Sequence, residues 1–345
     1  MKVLLTGATG FVGRNYLLRA LARGDSLLAP VRDEAKLRAQ LLEEGVEDGR
    51  VEILPANPAA WPAPVGADLV VHCAGALFER TLQSYLRTNV SWTRTILEAI
   101  PRECPLVVLS SQSAGGPTPA FRQARSEADA DDPISFYGES KLRMERMLLR
   151  QHRQRLVILR PPMILGPRDQ AIRQLFDMAR KPLRAKPGIR AKAFSFIGCE
   201  DLLDAIDAAG RGVGSIPSGP YYVASRQVFS DYKLLRSAAA CAHARGLSLP
   251  LPHAAIRIAS IVVDSLPALR AKLPSLTRDR VRELFANRWV VDPTRFEDAT
   301  EWSAKITLEA TLRLAFGGFS GSPVRERQSL EREAPPSSES HESNI

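Results

Sequence analysis

Tyr137 and Lys141 stand four residues apart in Tyr137-Gly138-Glu139-Ser140-Lys141, a spacing that puts both on one face of a helix. An ammonium beside a phenol stabilises the phenolate and lowers its pKa towards neutrality, where the group can exchange protons. Such a pair also arises as ordinary helix surface. Here it follows the apolar run Leu106-Val107-Val108-Leu109 and the hydroxyl-rich turn Ser110-Ser111-Gln112-Ser113. If the run is a strand of a parallel sheet, the turn lies at the sheet's C-terminal edge, where open α/β sheets bind ligands. A serine hydroxyl there can meet the tyrosine over a bound group. Together they can pass a proton to an oxygen and hold the charge that develops on it.

The start of the chain indicates what that group is. Thr6-Gly7-Ala8-Thr9-Gly10-Phe11-Val12-Gly13 follows the apolar run Val3-Leu4-Leu5 and opens into Tyr16-Leu17-Leu18-Arg19-Ala20-Leu21, which has helical spacing. Strand, glycine turn and helix in that order are the context a dinucleotide-binding fingerprint requires. Gly7 permits the tight turn, and Gly10 lets backbone approach a pyrophosphate at the helix N-terminus. Gly13 lets the helix pack close to the strand. The bland alternative is a plain tight turn.

These residues need a doubly wound parallel sheet to bring them together. Residues 2 to 160 alternate apolar runs with helical patterns as such a sheet should. Strands are predicted at Val3–Thr6, Ser26–Val31, Val51–Leu54, Leu69–Cys73, Leu106–Ser110 and Leu156–Leu159, with helices near 11–23, 33–43, 80–100 and 136–152. The link from the third strand to the fourth is proline-rich (Pro55, Pro58, Pro62, Pro64) and reads as loop. After Arg160 the alternation breaks down. Short strands near 193–196 and 220–223 are interleaved with helices near 169–180, 200–210, 229–244, 252–271, 276–286 and 305–315. The division expected is a Rossmann-type core at 1–160 and a smaller, mostly helical C-terminal substrate lobe at 161–316, interleaved with that core. The tail, 317–345, has too few apolar residues to offset its ordering entropy and is expected to be disordered.

Composition narrows the class. The 345 residues are 45% hydrophobic and 25% charged, ordinary for a globular protein. Cys73, Cys104, Cys199 and Cys241 are scattered without C-x-x-C spacing, which speaks against disulfides and a metal site and fits a reducing cytoplasm. The formal charge of +9 is spread over the chain with no recognition-helix or RNA-binding signature, so no nucleic-acid partner is expected. Met1-Lys2 leads directly into the first strand, leaving no secretory h-region. The most apolar later stretch, Ala254 to Leu266, is too short to span a bilayer and is interrupted by Arg257 and Asp264. It suits a core or an apolar pocket.

With these residues in place, residues 1–316 resemble the extended short-chain dehydrogenase/reductases, the NAD-dependent epimerase/dehydratase group. The likeness rests on the glycine turn, His72-Cys73-Ala74-Gly75, Thr88-Asn89-Val90, Ser110-Ser111, the Tyr137/Lys141 pair, Arg160-Pro161-Pro162, Leu165-Gly166-Pro167 and Phe194-Ser195-Phe196-Ile197 before Asp201. The resemblance implies Tyr137 as general acid/base and Lys141 as the ligand of the nicotinamide ribose. Ser111, five residues before Gly116, would hydrogen-bond the substrate oxygen in preference to Ser110 and Ser113. Asn89 would support the proton-relay region. The cofactor would rest on Gly7, Thr9, Gly10, Phe11, Val12, Gly13, Cys73, Ala74, Gly75 and Pro161. Relatives pair through the helices at 80–100 and 136–152, which implies a homodimer. Where many relatives keep an acidic residue after the third strand to hold adenine, this chain has Ala56-Asn57.

Cofactor choice turns on the end of the second strand. NAD-specific members place a carboxylate there for the ribose hydroxyls. This chain has Arg32, then Asp33. A guanidinium can pair bidentately with a 2′-phosphate, and Arg14 could assist, so NADP is expected, with NAD through Asp33 as the alternative. The run from Arg180 to Lys192 carries six positive charges and no negative one, either a solvated basic loop or a grip for an anionic handle. The function expected is hydride transfer between NAD(P) and a secondary alcohol or ketone. The alternatives are a nucleotide-sugar epimerase or dehydratase and a non-catalytic NAD(P)-binding regulatory protein.

Overall fold

The chain is described here from a computed structural model covering residues 1–46, 48–61, 65–151 and 155–317. The expected disordered tail lies, from residue 318, outside the described residues. The first half of the sheet is β1 (Lys2–Thr6), α1 (Phe11–Ala22), β2 (Ser26–Val31), α2 (Glu34–Glu43) and β3 (Val51–Pro55). The second half is β4 (Leu69–His72), α3 (Leu82–Leu86), a π-helical turn (Arg87–Trp92), α4 (Thr93–Glu98), β5 (Leu106–Leu109), α5 (Gln112–Gly115), α6 (Phe136–Arg150) and β6 (Leu156–Arg160).

β7 (Met163–Leu165), α7 (Gln170–Ala179), β8 (Leu183–Pro187), β9 (Ala193–Phe194) and β10 (Phe196–Gly198) begin the irregular part. They lead into α8 (Cys199–Gly212) and β11 (Gly219–Tyr222). Then come β12 (Phe229–Ser230), α9 (Asp231–Cys241), β13 (Leu247–Leu251), α10 (His253–Ser265), α11 (Pro267–Lys272), α12 (Arg278–Phe285), β14 (Arg288–Trp289), α13 (Thr294–Thr300) and α14 (Leu308–Gly317). The single helix expected at 252–271 is two, because Pro267 starts a new helix and cannot continue the old one.

β11-β6-β5-β4-β1-β2-β3 form one seven-stranded sheet, and all six pairings are parallel. The strand expected near 220–223 is thus the outermost strand of the main sheet. A parallel sheet is covered on both faces, so its strands read as continuous apolar runs. Alternate residues feed two cores. Val3, Leu5, Val71, Val107 and Val157 pack with α1 and α8, while Leu4, Val70, Leu106, Val108 and Ile158 pack with α4 and α6.

The strand order reverses direction between β1 and β4, which opens a crevice at their C-terminal ends. The far part of the chain docks over this edge through α12. There the Asp279 carboxylate accepts the Phe136 N–H at 2.9 Å, and the Ser135 hydroxyl donates to Glu283 at 2.5 Å. Ser135 is itself the N-cap of α6, accepting the Gly138 N–H at 3.0 Å. The lobe therefore holds the first turn of the helix that carries Tyr137.

Candidate active site

The glycine turn lies in the crevice between β1 and β4. Gly7 has φ +75°, and a Cβ there would stand 2.7 Å from the Ala74 backbone nitrogen. A Cβ on Gly13 would stand 2.1 Å from the Gly7 carbonyl oxygen, so α1 reaches the turn only because residue 13 has no side chain. Gly10 is the N-cap of α1, with no side-chain cap and no acidic residue in the first turn. The first N–H groups of α1, at Phe11 and Val12, are without intrahelical acceptors and favour an anion. α2, α6, α7 and α9 are instead closed by Asp33, Ser135, Asp169 and Ser230. The uncapped N-terminus fits a dinucleotide pyrophosphate, and the turn that leads into it packs against Cys73 and Ala74 after β4.

Ser111 caps α5, and its hydroxyl accepts the Ser113 N–H at 3.2 Å. It stands close enough to the Tyr137 phenol to influence its titration. Ser110 faces away and donates a short hydrogen bond to buried Glu145, so the neighbouring hydroxyls do different work. Gly138 makes the approach of α6 possible, because a Cβ there would stand 2.3 Å from the Ser113 carbonyl oxygen. Lys141 donates to the Leu109 carbonyl at 2.9 Å, and its Nζ lies 3.0 Å from where a Gly75 Cβ would be. Asn89 is fully buried. It accepts the Ala76 N–H at 2.7 Å and donates to Ser140 at 2.8 Å, bracing the loop after β4 against α6. Pro161 follows β6, and its carbonyl accepts the Gln112 N–H at 2.9 Å, tying that segment to α5.

The electrostatics differ from the sequence expectation. Burial pushes the Tyr137 phenol up to about 12, opposed by the Arg280 cation and by Ser111, instead of down towards neutrality. Burial also lowers Lys141 to about 8, with Glu145 and Cys73 opposing the shift. His72, fully buried between Thr6 and Thr93 at 2.9 and 3.0 Å, is held neutral by burial and by Lys141, with its pKa lowered to about 3. Burial raises the Cys73 thiol to about 12, so it is an inert wall of the crevice.

Two groups that sequence reasoning did not single out complete the site. Arg280 from α12 lies over the Tyr137 ring at 4.9 Å and the Phe78 ring at 5.9 Å, and pairs with Glu283 at 2.8 Å. Nothing local in the sequence links residue 280 to residue 137. Glu145, one turn beyond Lys141, is buried with Arg160. Arg160 Nε lies 3.0 and 3.1 Å from its two carboxylate oxygens and Nη2 2.5 Å from one of them. Arg160 Nη1 also pairs with Asp131 at 2.8 Å. The four-residue step from Lys141 to Glu145 was the available signal, since it puts the carboxylate on the face of α6 that carries Tyr137.

At the adenosine end, Arg32 is exposed just after β2 and makes no hydrogen bond or ion pair among the described residues. Asp33 is engaged as the α2 N-cap, its carboxylate accepting the Lys36 N–H at 2.9 Å. The help expected from Arg14 is corrected: its guanidinium pairs with Glu43 and Glu44, each at 2.9 Å, and is held at the far end of α2. Half of the basic run is also turned inward. Arg184 and Lys186 are buried, and Lys186 donates to the Gly188 and Arg190 carbonyls at 2.8 Å and pairs with Asp231 at 2.9 Å.

Among the described residues no group of acidic, histidine and cysteine side chains could hold a metal ion, and no helix is long and apolar enough to cross a membrane.

Comparison with known proteins agrees with this fold. A ceramide reductase of Caulobacter vibrioides is 27% identical over 293 residues, covering 83% of this chain and 85% of the relative. The bovine (Bos taurus) decarboxylating sterol-4-alpha-carboxylate 3-dehydrogenase is 27% identical over 188 residues, and there the match spans about half of each protein. Among solved structures, the UDP-glucuronic acid 4-epimerase of Bacillus cereus, in complex with UDP-glucuronic acid and NAD, superposes with a TM-score of 0.72. It shares 18% identity and covers 93% of this chain and 99% of its own. The profile of the NAD dependent epimerase/dehydratase family matches residues 3–223, and the chain belongs to that family.

Proposed function

We propose that the protein is an NAD(P)-dependent reductase or dehydrogenase that interconverts a ketone and a secondary alcohol, with Tyr137 as general acid/base. The observation that supports the reading is the close seating of α6 on α5, with Gly138 against the Ser113 carbonyl, which sets buried Tyr137 beside the turn that carries Ser111, with Lys141 one turn along the same helix. When bound, the cofactor supplies or accepts the hydride. Tyr137 gives its proton to the substrate oxygen in the reductive direction and recovers it in the oxidative one. Ser111 donates a second hydrogen bond to that oxygen where burial strengthens it. Lys141, against Gly75, would hold the ribose hydroxyls, Asn89 would keep the adjoining loop in place, and Gly7 to Gly13 with Cys73, Ala74 and Pro161 would carry the rest of the cofactor.

The ceramide reductase likeness over most of the chain supports an apolar substrate. The inward turn of Arg184 and Lys186 leaves fewer cations free for a sugar diphosphate than the sequence suggested. A nucleotide-sugar epimerase is the second reading, favoured by the relative ADP-L-glycero-D-manno-heptose-6-epimerase of Pseudomonas paraeruginosa at 26% identity over 177 residues. Cofactor stoichiometry separates the two. A reductase consumes one reduced nicotinamide per ketone, whereas an epimerase returns its cofactor unchanged.

NADP is the preferred cofactor in this reading, because Arg32 is free to meet a 2′-phosphate while Asp33 is occupied as a helix cap. NADPH is expected to bind roughly ten- to a hundredfold more tightly than NADH, and Arg32→Ala to remove most of the difference. The preference should shrink at high salt, since the guanidinium is exposed. Equal or tighter binding of NADH by the wild type would assign the choice to Asp33.

The same reading includes a homodimer through α3–α4 and α6 and a reducing cytoplasmic location, in keeping with four free cysteines. Light scattering at micromolar concentration is expected to give twice the chain mass. The monomer mass would remove the dimer from the proposal.

A further inference from the structure

The paired strands β8 and β13 are patterned the wrong way round for a ribbon facing water. They run parallel, with Leu247 opposite Leu183 and Leu249 opposite Ala185. Strand alternation sends Leu183, Leu247, Leu249 and Leu251 to the outer face, where Leu183 is 58% and Leu247 69% exposed. The intervening cations Arg184 and Lys186 point inward and are buried. A surface ribbon normally does the reverse.

β13 then passes through Pro252 directly into α10. Among the exposed positions of α10, which also include His253, Ala255 and Arg257, Ala254, Ile258, Ile261, Val262 and Ser265 recur at helical spacing, with Ile258 64% exposed. Its inward stripe of Ile256, Ser260 and Val263 is apolar or small as well. Apart from His253, Arg257 and Asp264 the helix carries no charged or titratable side chain, and apolar residues lie on both its inner and its outer side. Here the lobe covers only one, and the exposed Leu266 and Leu273 continue the surface past it.

The charges beside this surface have one sign. Arg245, Arg257 and Lys272 are exposed, and so are Lys181 and Arg190 at the two ends of β8. Between residues 243 and 273 the one acidic residue is Asp264, which is paired with Arg278 at 3.0 Å. A second copy of the chain on this face would bring like charges together across the two-fold axis. An anionic bilayer meets both features, taking the Leu and Ile side chains among its acyl chains and the Arg and Lys side chains among its headgroups.

We propose that the outer face of β8 and β13, with the exposed side of α10 and α11, is a docking surface for an anionic membrane leaflet. Docking there turns a cleft of about 450 Å³ towards the lipid. Pro267, Arg270 and Ala271 of α11 line the cleft together with Thr277, Phe78, Tyr85 and one acidic residue, Glu79. The ring of Tyr85, which lines the cleft, is 6.1 Å from that of Tyr137.

The test is co-sedimentation of the full chain with vesicles of phosphatidylcholine alone and of mixed phosphatidylcholine and phosphatidylglycerol. It reads binding and not turnover, so it stands or falls apart from the enzymatic reading. The wild type is expected to bind the mixed vesicles, to bind neutral ones far more weakly, and to be released by high salt. The combined variant Leu249→Ser, Ile258→Ser, Ile261→Ser should lose at least about tenfold in partitioning with its melting temperature kept, because all three side chains are already exposed. Arg245→Ala and Lys272→Ala should each lose roughly fivefold on the mixed vesicles alone, which tests the surface without touching its apolar part. Failure of the wild type to bind mixed vesicles would overturn the proposal, as would equal binding by the triple variant. So would a self-associated species in light scattering that the triple variant dissociates, which would assign the face to a second copy.

Discussion

Tyr137→Phe is expected to keep dinucleotide binding and to lower turnover by roughly a hundredfold or more, the scale of a lost general acid/base. The substitution preserves the buried ring, its contact with Tyr85 and the Arg280 stack at 4.9 Å, and removes only the hydroxyl. A fall in turnover without a fall in melting temperature therefore reads the proton and not the packing.

The pH dependence follows from the two shifts. With its pKa pushed up to about 12, the phenol keeps its proton through neutral and mildly alkaline solution and can serve as a donor throughout. Lys141, lowered to about 8, loses its charge as pH rises through that value. The alkaline limb of wild-type reduction is expected near pH 8, set by Lys141. Near wild-type turnover by Tyr137→Phe, on a ketone that the wild type reduces, would remove Tyr137 from the chemistry.

Glu145→Ala is expected to cost about 3–5 kcal/mol of stability, the range for breaking one side of a buried ion pair. Arg160 is 2% exposed and would keep only Asp131 as an anionic partner. For a chain of this size the melting temperature should fall by on the order of 10 °C. The variant also tests the site, because Glu145 is the leading influence holding the Lys141 pKa up against burial. Its removal lowers that pKa below about 8, so the alkaline limb should move to lower pH. Glu145→Gln, which keeps the shape, should show the same displacement of the limb with a smaller loss of stability. An unchanged melting temperature for Glu145→Ala would mean that the carboxylate does not hold Arg160 in place.

The parts of the fold that could be read from the sequence are those whose cause is local. Val3-Leu4-Leu5 and Leu106 to Leu109 read as strands because a parallel sheet buries both of their faces. α6 was bounded within two residues of its observed span because its apolar spacing is regular. Arg280 and Glu283 were not legible, because only the packing of the lobe brings them to α6 from about 140 residues away. Arg184 and Lys186 were read with the solvated charges beside them, since burial of a cation depends on carbonyls and an aspartate supplied by other segments. The sequence has Arg14 close to the glycine turn, and only the fold shows that α2 offers it two glutamates.

The double hold on the first turn of α6 also bears on the order in which the chain is made. Ser135 waits for Glu283 and the Phe136 N–H for Asp279, partners 148 and 143 residues further on. During synthesis the six strands from β1 to β6 can emerge and pair while α12 is still to come, because domains assemble from the N-terminal side as they are translated. A nascent chain that stops short of Arg278 already contains Ser111, Tyr137 and Lys141, yet lacks the carboxylates that close over them. The helix that carries Tyr137 is thus begun early and finished by an element that is translated well after it.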